Sequence, residues 1–223
     1  MKKIFPIPML ILVLGLAGCA ARYYVQVNGY VDPQTPGPFA PGAAFFVIGN
    51  QDAPNPLLEQ EVKEKSGKIL EKMGYRLTSF ENAQYFLLCA YGMGQGSPSV
   101  TMPDYSIGIG IGGGYGYGPG YYGRRSYGFG GPFFGGYYPG FTTERVYERW
   151  LILSVIDAKH YRDKGEFRTL WVGEARSAGT SSDLREMINY LLVAAFEQFG
   201  KDTKKAVGVK LAPADPRVKD LEK

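Results

Sequence analysis

Two thiols and one imidazole, Cys19, Cys89 and His160, are the groups in this 223-residue chain with the clearest claim to nucleophilic or metal chemistry. A thiol becomes a catalytic nucleophile when a base such as an imidazole lies within hydrogen-bond reach. Cys89 sits in Tyr85-Phe86-Leu87-Leu88-Cys89-Ala90-Tyr91, an apolar run that reads as a buried strand. A lone buried cysteine behaves as a small hydrophobe. His160 falls in the charged stretch Asp157 to Arg168, which reads as a polar turn at a hairpin tip, so the two are not expected to meet. One His and one available Cys are too few for a metal site, and no carboxylate cluster has ligand spacing. A G-x-S-x-G nucleophile elbow is missing. Gly108-x-Gly110-x-x-Gly113 matches a dinucleotide fingerprint in form, but that fingerprint needs a helix directly after the glycines, and more glycine and tyrosine follow. The sequence therefore assigns no catalytic residue, no cofactor and no metal.

The other thiol has a different chemistry. Leu16-Ala17-Gly18-Cys19 closes an apolar stretch at the N-terminus and looks like a bacterial lipobox. Such a signal marks its cysteine for diacylglyceryl attachment and cleavage just before it. Residues 1–18 have the matching layout: Lys2 and Lys3 as a positive start, then Ile4 to Leu16 as an apolar segment. That segment would span roughly 20 Å as a helix, against roughly 30 Å of hydrocarbon, and Pro6 and Pro8 weaken a helix further. The expectation is a signal peptide over 1–18, lipidation at Cys19 and a tether over 19–42. Ala20, where an Asp commonly retains Gram-negative lipoproteins in the inner membrane, resembles the outer-membrane default. Once Cys19 is lipidated, Cys89 has no disulfide partner. Half of the net charge of +4 belongs to Lys2 and Lys3, so the mature balance is too weak to argue for nucleic acid.

The elements follow from periodicity and punctuation. Tyr23 to Val27 reads as a first short strand ahead of a linker broken by Pro33, Pro36, Pro38 and Pro41, and Ala43 to Ile48 as another strand. Asn55-Pro56 opens a helix, with Leu58, Val62, Ile69, Leu70 and Met73 on one face and Gly74 as its stop. Glu59 with Lys63 and Glu61 with Lys65 are i,i+4 pairs read as solvating its outer face. The stretch 92–141 carries 18 of the 31 glycines and 8 of the 17 tyrosines, with no Lys or Glu, too few aliphatic groups to offset the cost of ordering it. It reads as a long insertion, and Arg124-Arg125 within it as a solvated tip. Strands near 144–157 and 169–178 follow, carrying Trp150 and Trp171, read as core residues with a ligand groove as the alternative. Asp183 and Glu186 then form a capping-box pattern, and Leu184, Met187, Ile188, Leu191, Leu192, Ala195, Phe196 and Phe199 give the strongest helical stripe in the chain. The segment 201–223, charged and with two prolines, is expected to fray.

These elements in this order resemble the bacterial lipoprotein family catalogued as domain of unknown function 4136. The matching residues are Asn55-Pro56-Leu57-Leu58, Asn82-Ala83-Gln84-Tyr85-Phe86-Leu87, the Gly/Tyr-rich insertion, Leu151 to Ala158, Leu170 to Ala175, and the helix end Phe196-Glu197-Gln198-Phe199. The resemblance covers roughly residues 43–200. Asn82 stands where an Asp is more usual, and the link from Ala158 to Thr169 is longer than the family's tight turn. It implies an α/β domain on a lipid anchor and brings no activity and no catalytic residues.

The expected architecture is α+β: a mainly antiparallel sheet of about four strands (43–48, 84–92, 144–157 and 169–178) with helices 55–73 and 183–199 on one face. The expected role is a non-enzymatic structural or interaction module of the cell envelope. Its partners would be the membrane, through the lipid on Cys19, and another envelope protein, through the Gly/Tyr-rich segment. The alternative is a binding protein for a small apolar or glycan ligand. A third class, an envelope hydrolase, lacks a catalytic constellation.

Overall fold

The computed structural model describes residues 22–35, 39–50, 53–101 and 142–222. Cys19, Arg124, Arg125 and the Gly108–Gly113 motif lie outside them, as does most of the Gly/Tyr-rich segment.

The elements in order are β1 (Tyr23–Val31), β2 (Ala44–Ile48), α1 (Pro56–Lys72), β3 (Arg76–Leu77), β4 (Tyr85–Met93), β5 (Ser97–Thr101), β6 (Thr142–Asp157), α2 (Ala158–Lys164), β7 (Thr169–Gly179), α3 (Leu184–Glu197), β8 (Val207–Leu211) and α4 (Pro216–Lys219). The chain divides into a larger unit, 1–97 with 145–223, and a smaller one, 98–144. Among the described residues the smaller unit holds only the rest of β5 and the start of β6.

The sheet has eight strands in the order β3-β2-β4-β6-β7-β1-β8, with β5 paired to β6 off this path. It is mixed, not the four-stranded antiparallel sheet expected. The β2-α1-β4 unit crosses over through a helix, and such a connection places its two strands parallel: Phe45 aligns with Tyr85 and Ile48 with Leu88. The antiparallel pairs β4–β6 and β6–β7 join three of the strands expected in the sheet. The two added long-range pairs, β1–β7 and β1–β8, bring in β1, read as a short strand within the tether and left out of the expected sheet, and β8, from the segment read as tail. The folded domain thus begins at Tyr23, inside the expected tether. The tail folds back through β8 and α4, burying Val209, Leu211, Val218 and Leu221. The link after Ala158 is the helix α2, capped by Asp157 and ended by Gly165 at φ 71°, and not a polar turn.

Successive strand side chains point to opposite faces. Val25, Val27, Phe45, Leu87, Leu151, Leu153, Val155 and Ala175 fill one face, against Val62 and Leu70 of α1 and Met187, Ile188, Leu191 and Leu192 of α3. Each helix starts where its cap predicts: Asn55 Oδ1 accepts from Leu58 N–H at 3.1 Å, and Asp183 Oδ1 from Glu186 N–H at 3.0 Å. Gly74, at φ 87°, stops α1. A smaller cluster on the other face joins Phe86, Ile156 and Ala158 with Phe46, Phe80 and Tyr161. Glycine is required where Gly29 and Gly173 pair across β1 and β7. A Cβ at Gly173 would lie 2.2 Å from the Trp171 ring, and one at Gly29 2.3 Å from the Lys201 carbonyl. Trp171 fills that gap and donates from Nε1 to Lys201 O at 3.0 Å.

Candidate functional sites

The thiol and the imidazole are kept apart. Cys89 is on β4, facing α1, with Sγ 3.5 Å from Ser66 Oγ. Burial pushes the thiol up to about 12; the Ser66 hydrogen bond opposes the rise and the Glu59 charge adds to it. His160 is in α2, beyond the end of β6, where its Nε2 lies 4.0 Å from the exposed Glu166 carboxylate. Cys89 aligns with Leu153, four residues short of Asp157, so about 13 Å of strand separates their levels. Among the described residues no group of three or more His, Cys, Asp or Glu has metal-site geometry.

The helix charges do more than solvate. Glu59 is 7 % exposed, and its Oε1 accepts the Asn50 N–H at 2.7 Å. Burial raises the Tyr91 hydroxyl well above its usual value, and a hydrogen bond to the Glu59 carboxylate raises it further. Lys65, 6 % exposed, donates from Nζ to Asn189 Oδ1 at 2.6 Å and also to Glu61. Arg185 of α3 donates to the other Glu61 oxygen at 2.7 Å. Two of the charges read as an outer face therefore tie α1 to α3. Spacing alone could not reveal this, because the partners Asn189 and Arg185 are 124 residues away.

A groove of about 710 Å³ lies between the C-terminal turns of α1 and α3 and the segment carrying α4. Ile69, Met73, Val193, Phe196 and Leu221 give it an apolar wall. Its rim carries the ion pairs Lys72–Asp220 and Arg217–Glu197. Sequence reasoning missed it because one wall comes from the segment expected to fray.

The two tryptophans separate. Trp171 is 1 % exposed in the core, whereas Trp150 is 37 % exposed on the other face of the sheet, its ring over Gly92. Tyr24 and Tyr30 are also exposed on that face. Its only described helix cover is α2, over the β4 and β6 ends.

Arg149 is the anomaly. It shares the helix-facing side of β6 with Leu151 and Leu153 and is 2 % exposed. Its Nη2 donates to the Ser181 carbonyl, just ahead of α3, while its Nε has no hydrogen-bond partner. Burial lowers the guanidinium, and nearby Tyr23 and Glu186 pull the other way.

A family model described as Domain of unknown function (DUF4136) matches residues 24–199. The chain belongs to that family. The match starts inside β1, in agreement with a DUF4136 domain that begins before residue 43. No curated protein matches the sequence. Among solved structures, the PelC dodecamer from Paraburkholderia phytofirmans is 14% identical, with 79% of this chain and 98% of that chain covered and a TM-score of 0.38. A DUF4136 family protein from Bacteroides thetaiotaomicron is 18% identical, with 77% and 94% covered and a TM-score of 0.37. A PDZ domain protein from Parabacteroides distasonis is 12% identical, with 91% and 42% covered and a TM-score of 0.42.

Proposed function

We propose that this DUF4136 domain is a lipid-anchored protein of the cell envelope, held at the outer membrane and facing the periplasm. It works there as a non-enzymatic module through contacts with another envelope protein. The observation that carries the reading is Leu16-Ala17-Gly18-Cys19 at the end of an apolar segment, with β1 opening at Tyr23, four residues after the cysteine. A diacylglyceryl group on Cys19, with further acylation, gives durable anchoring, since each buried CH₂ contributes about 0.8 kcal/mol. The domain then needs no membrane-spanning segment of its own. The Gly/Tyr-rich segment supplies contact area, because tyrosine offers a large surface with few rotatable bonds and glycine lets it adapt.

Radiolabelled palmitate should enter the wild-type chain and not Cys19→Ala. Equal incorporation in both would sink the anchor reading.

The second reading, a binding protein for a small apolar ligand, is favoured by one observation, the groove of about 710 Å³ beside Phe196 and Leu221. Pockets for small ligands have this size and this mixture of apolar walls with a few polar groups.

A further inference from the structure

One row of residues crosses the open face of the sheet, opposite the face that packs against α1 and α3. Gly92 aligns with Trp150, Trp150 with Arg176, Arg176 with Gln26 and Gln26 with Gly208, so the row runs over β4, β6, β7, β1 and β8. Residues directly opposite one another on paired strands share a face. The glycines at the two ends of the row seat two aromatic rings. A Cβ at Gly92 would lie 2.6 Å from the Trp150 ring, and one at Gly208 would lie 2.8 Å from the Tyr24 ring. Each ring therefore lies down across its neighbouring strand, Trp150 outward over β4 and Tyr24 outward over β8, and each keeps part of its surface open to solvent. Four strand spacings, about 19 Å, separate the two seats. Between them stand the exposed Arg176 and Gln26, with Glu174 and its partner Asn28 in the next row on the same face.

Aromatic ends around a polar middle reverse the anatomy of a protein interface, in which an apolar centre is ringed by polar groups. A second sheet stacked here would bury Arg176, Gln26, Asn28 and Glu174 against apolar side chains, at a cost. An extended peptide would find no backbone partners, because the strands' N–H and C=O groups lie in the plane of the sheet and bond to one another. A single-stranded nucleic acid would find rings to stack on but no positive track for its phosphates. Arg176 is paired with Glu174 at 3.6 Å, and Glu148 lies on the same face two residues along β6 from Trp150. The face suits a linear, uncharged ligand that has both flat apolar surfaces and many hydroxyls.

We propose that this row binds an extended, uncharged β-1,4-linked glycan laid across the strands. A pyranose with equatorial substituents presents faces of axial C–H groups, and these carry the positive edge that the negative face of an aromatic ring attracts. One sugar stacks on Trp150 over Gly92 and another on Tyr24 over Gly208. The hydroxyls of the sugars between them accept from Arg176 and exchange hydrogen bonds with Gln26 and Asn28. A rod-like chain fits two rings set at the ends of one row better than a compact ligand does. The inference goes beyond the reading as a module for protein contacts, and it needs neither the lipid on Cys19 nor the groove beside Phe196.

The test is calorimetric titration of the full chain, in a detergent without a sugar headgroup, with the β-1,4-linked hexamer and dimer of N-acetylglucosamine. The wild type should bind the hexamer more tightly than the dimer by about tenfold or more, because the dimer reaches one ring only. Trp150→Ala and Tyr24→Ala should each weaken hexamer binding about tenfold, the loss of one stacking contact. Gly208→Ala keeps Tyr24 but displaces its ring, and should weaken binding as well; it gives the reading should a ring variant fail to fold. Tyr30→Ala removes an exposed ring on the same face, about 13 Å along β1 from the row, and should leave the affinity unchanged. No hexamer binding by the wild type, binding that survives the ring and glycine variants, or equal losses for Tyr30→Ala and Tyr24→Ala overturns the proposal. So does tighter binding of oligothymidylate than of the hexamer, which assigns the rings to a nucleic acid. A wild-type dimer in sedimentation that Trp150→Ala converts to monomers assigns the face to a second copy of the chain and overturns it too.

Discussion

At the scale of the residue, burial decides the chemistry. Cys89 and Ser66 form a pair of nucleophile types 3.5 Å apart, yet desolvation holds the thiol at about 12. At pH 8 the thiolate fraction is then about one in ten thousand. In a Cys19→Ala background, native protein should resist iodoacetamide at pH 8 for hours and react promptly once denatured. Stoichiometric labelling of the folded protein would contradict this. The burial of Cys89 was legible in its apolar run, because strand burial is a local signal. The burial of Lys65 was not legible. Glu61 and Lys65 have the spacing of an exposed pair, and only the packing of α3 over α1 encloses them. Arg149 was equally hidden: Glu148-Arg149-Trp150 interrupts the apolar run of β6, and nothing local says that the arginine takes the core side and the tryptophan the other.

At the scale of the element, capped and periodic segments were the readable ones. Asn55-Pro56 and Asp183 mark helix starts through interactions completed within three residues, so sequence alone places α1 and α3. Short strands carry no such local marker. Tyr23 to Val27 reads as a strand, but neither its extension to Val31 nor its place in the sheet is marked locally, and β8 sits among lysines; each is stabilised by partners more than a hundred residues away. The helix-to-helix link is testable through its pH dependence. Burial pulls the Glu61 carboxyl up, but hydrogen bonds and charge from Lys65 and Arg185 outweigh it and hold it below the usual value. A carboxyl depressed in the folded state contributes stability that is present above its unfolded value, near 4.5, and is lost as pH falls through the folded one. Urea unfolding should therefore show the wild type losing stability below pH 4.5 more steeply than Glu61→Gln. At pH 7 the variant should be less stable by on the order of 1 kcal/mol. Parallel pH profiles for the two proteins would show that Glu61 carries no such linkage.

At the scale of the whole molecule, anchor and domain have to be considered together. The sequence reads as a tether over residues 19–42. With β1 in the sheet from Tyr23, three residues remain between Cys19 and folded structure. On the proposed lipid-anchor reading, a link that short converts an anchor into an orientation, because Tyr23 cannot lie more than about 14 Å from Cys19. A flexible insertion tests this directly. Twenty Gly/Ser residues placed between Ala21 and Arg22 extend the root-mean-square reach by about 25 Å and leave the signal and Cys19 untouched. A photo-crosslinking residue at the exposed Thr180 position should label lipid strongly in the native chain, and one at the exposed Phe167 position, toward the far end, should label it weakly. In the extended chain the contrast between the two positions should collapse while palmitate incorporation stays unchanged. If Thr180 and Phe167 label equally in the native chain, the short link does not orient the domain. If the contrast persists with the insertion, the surface of the domain orients it, and the anchor supplies only proximity.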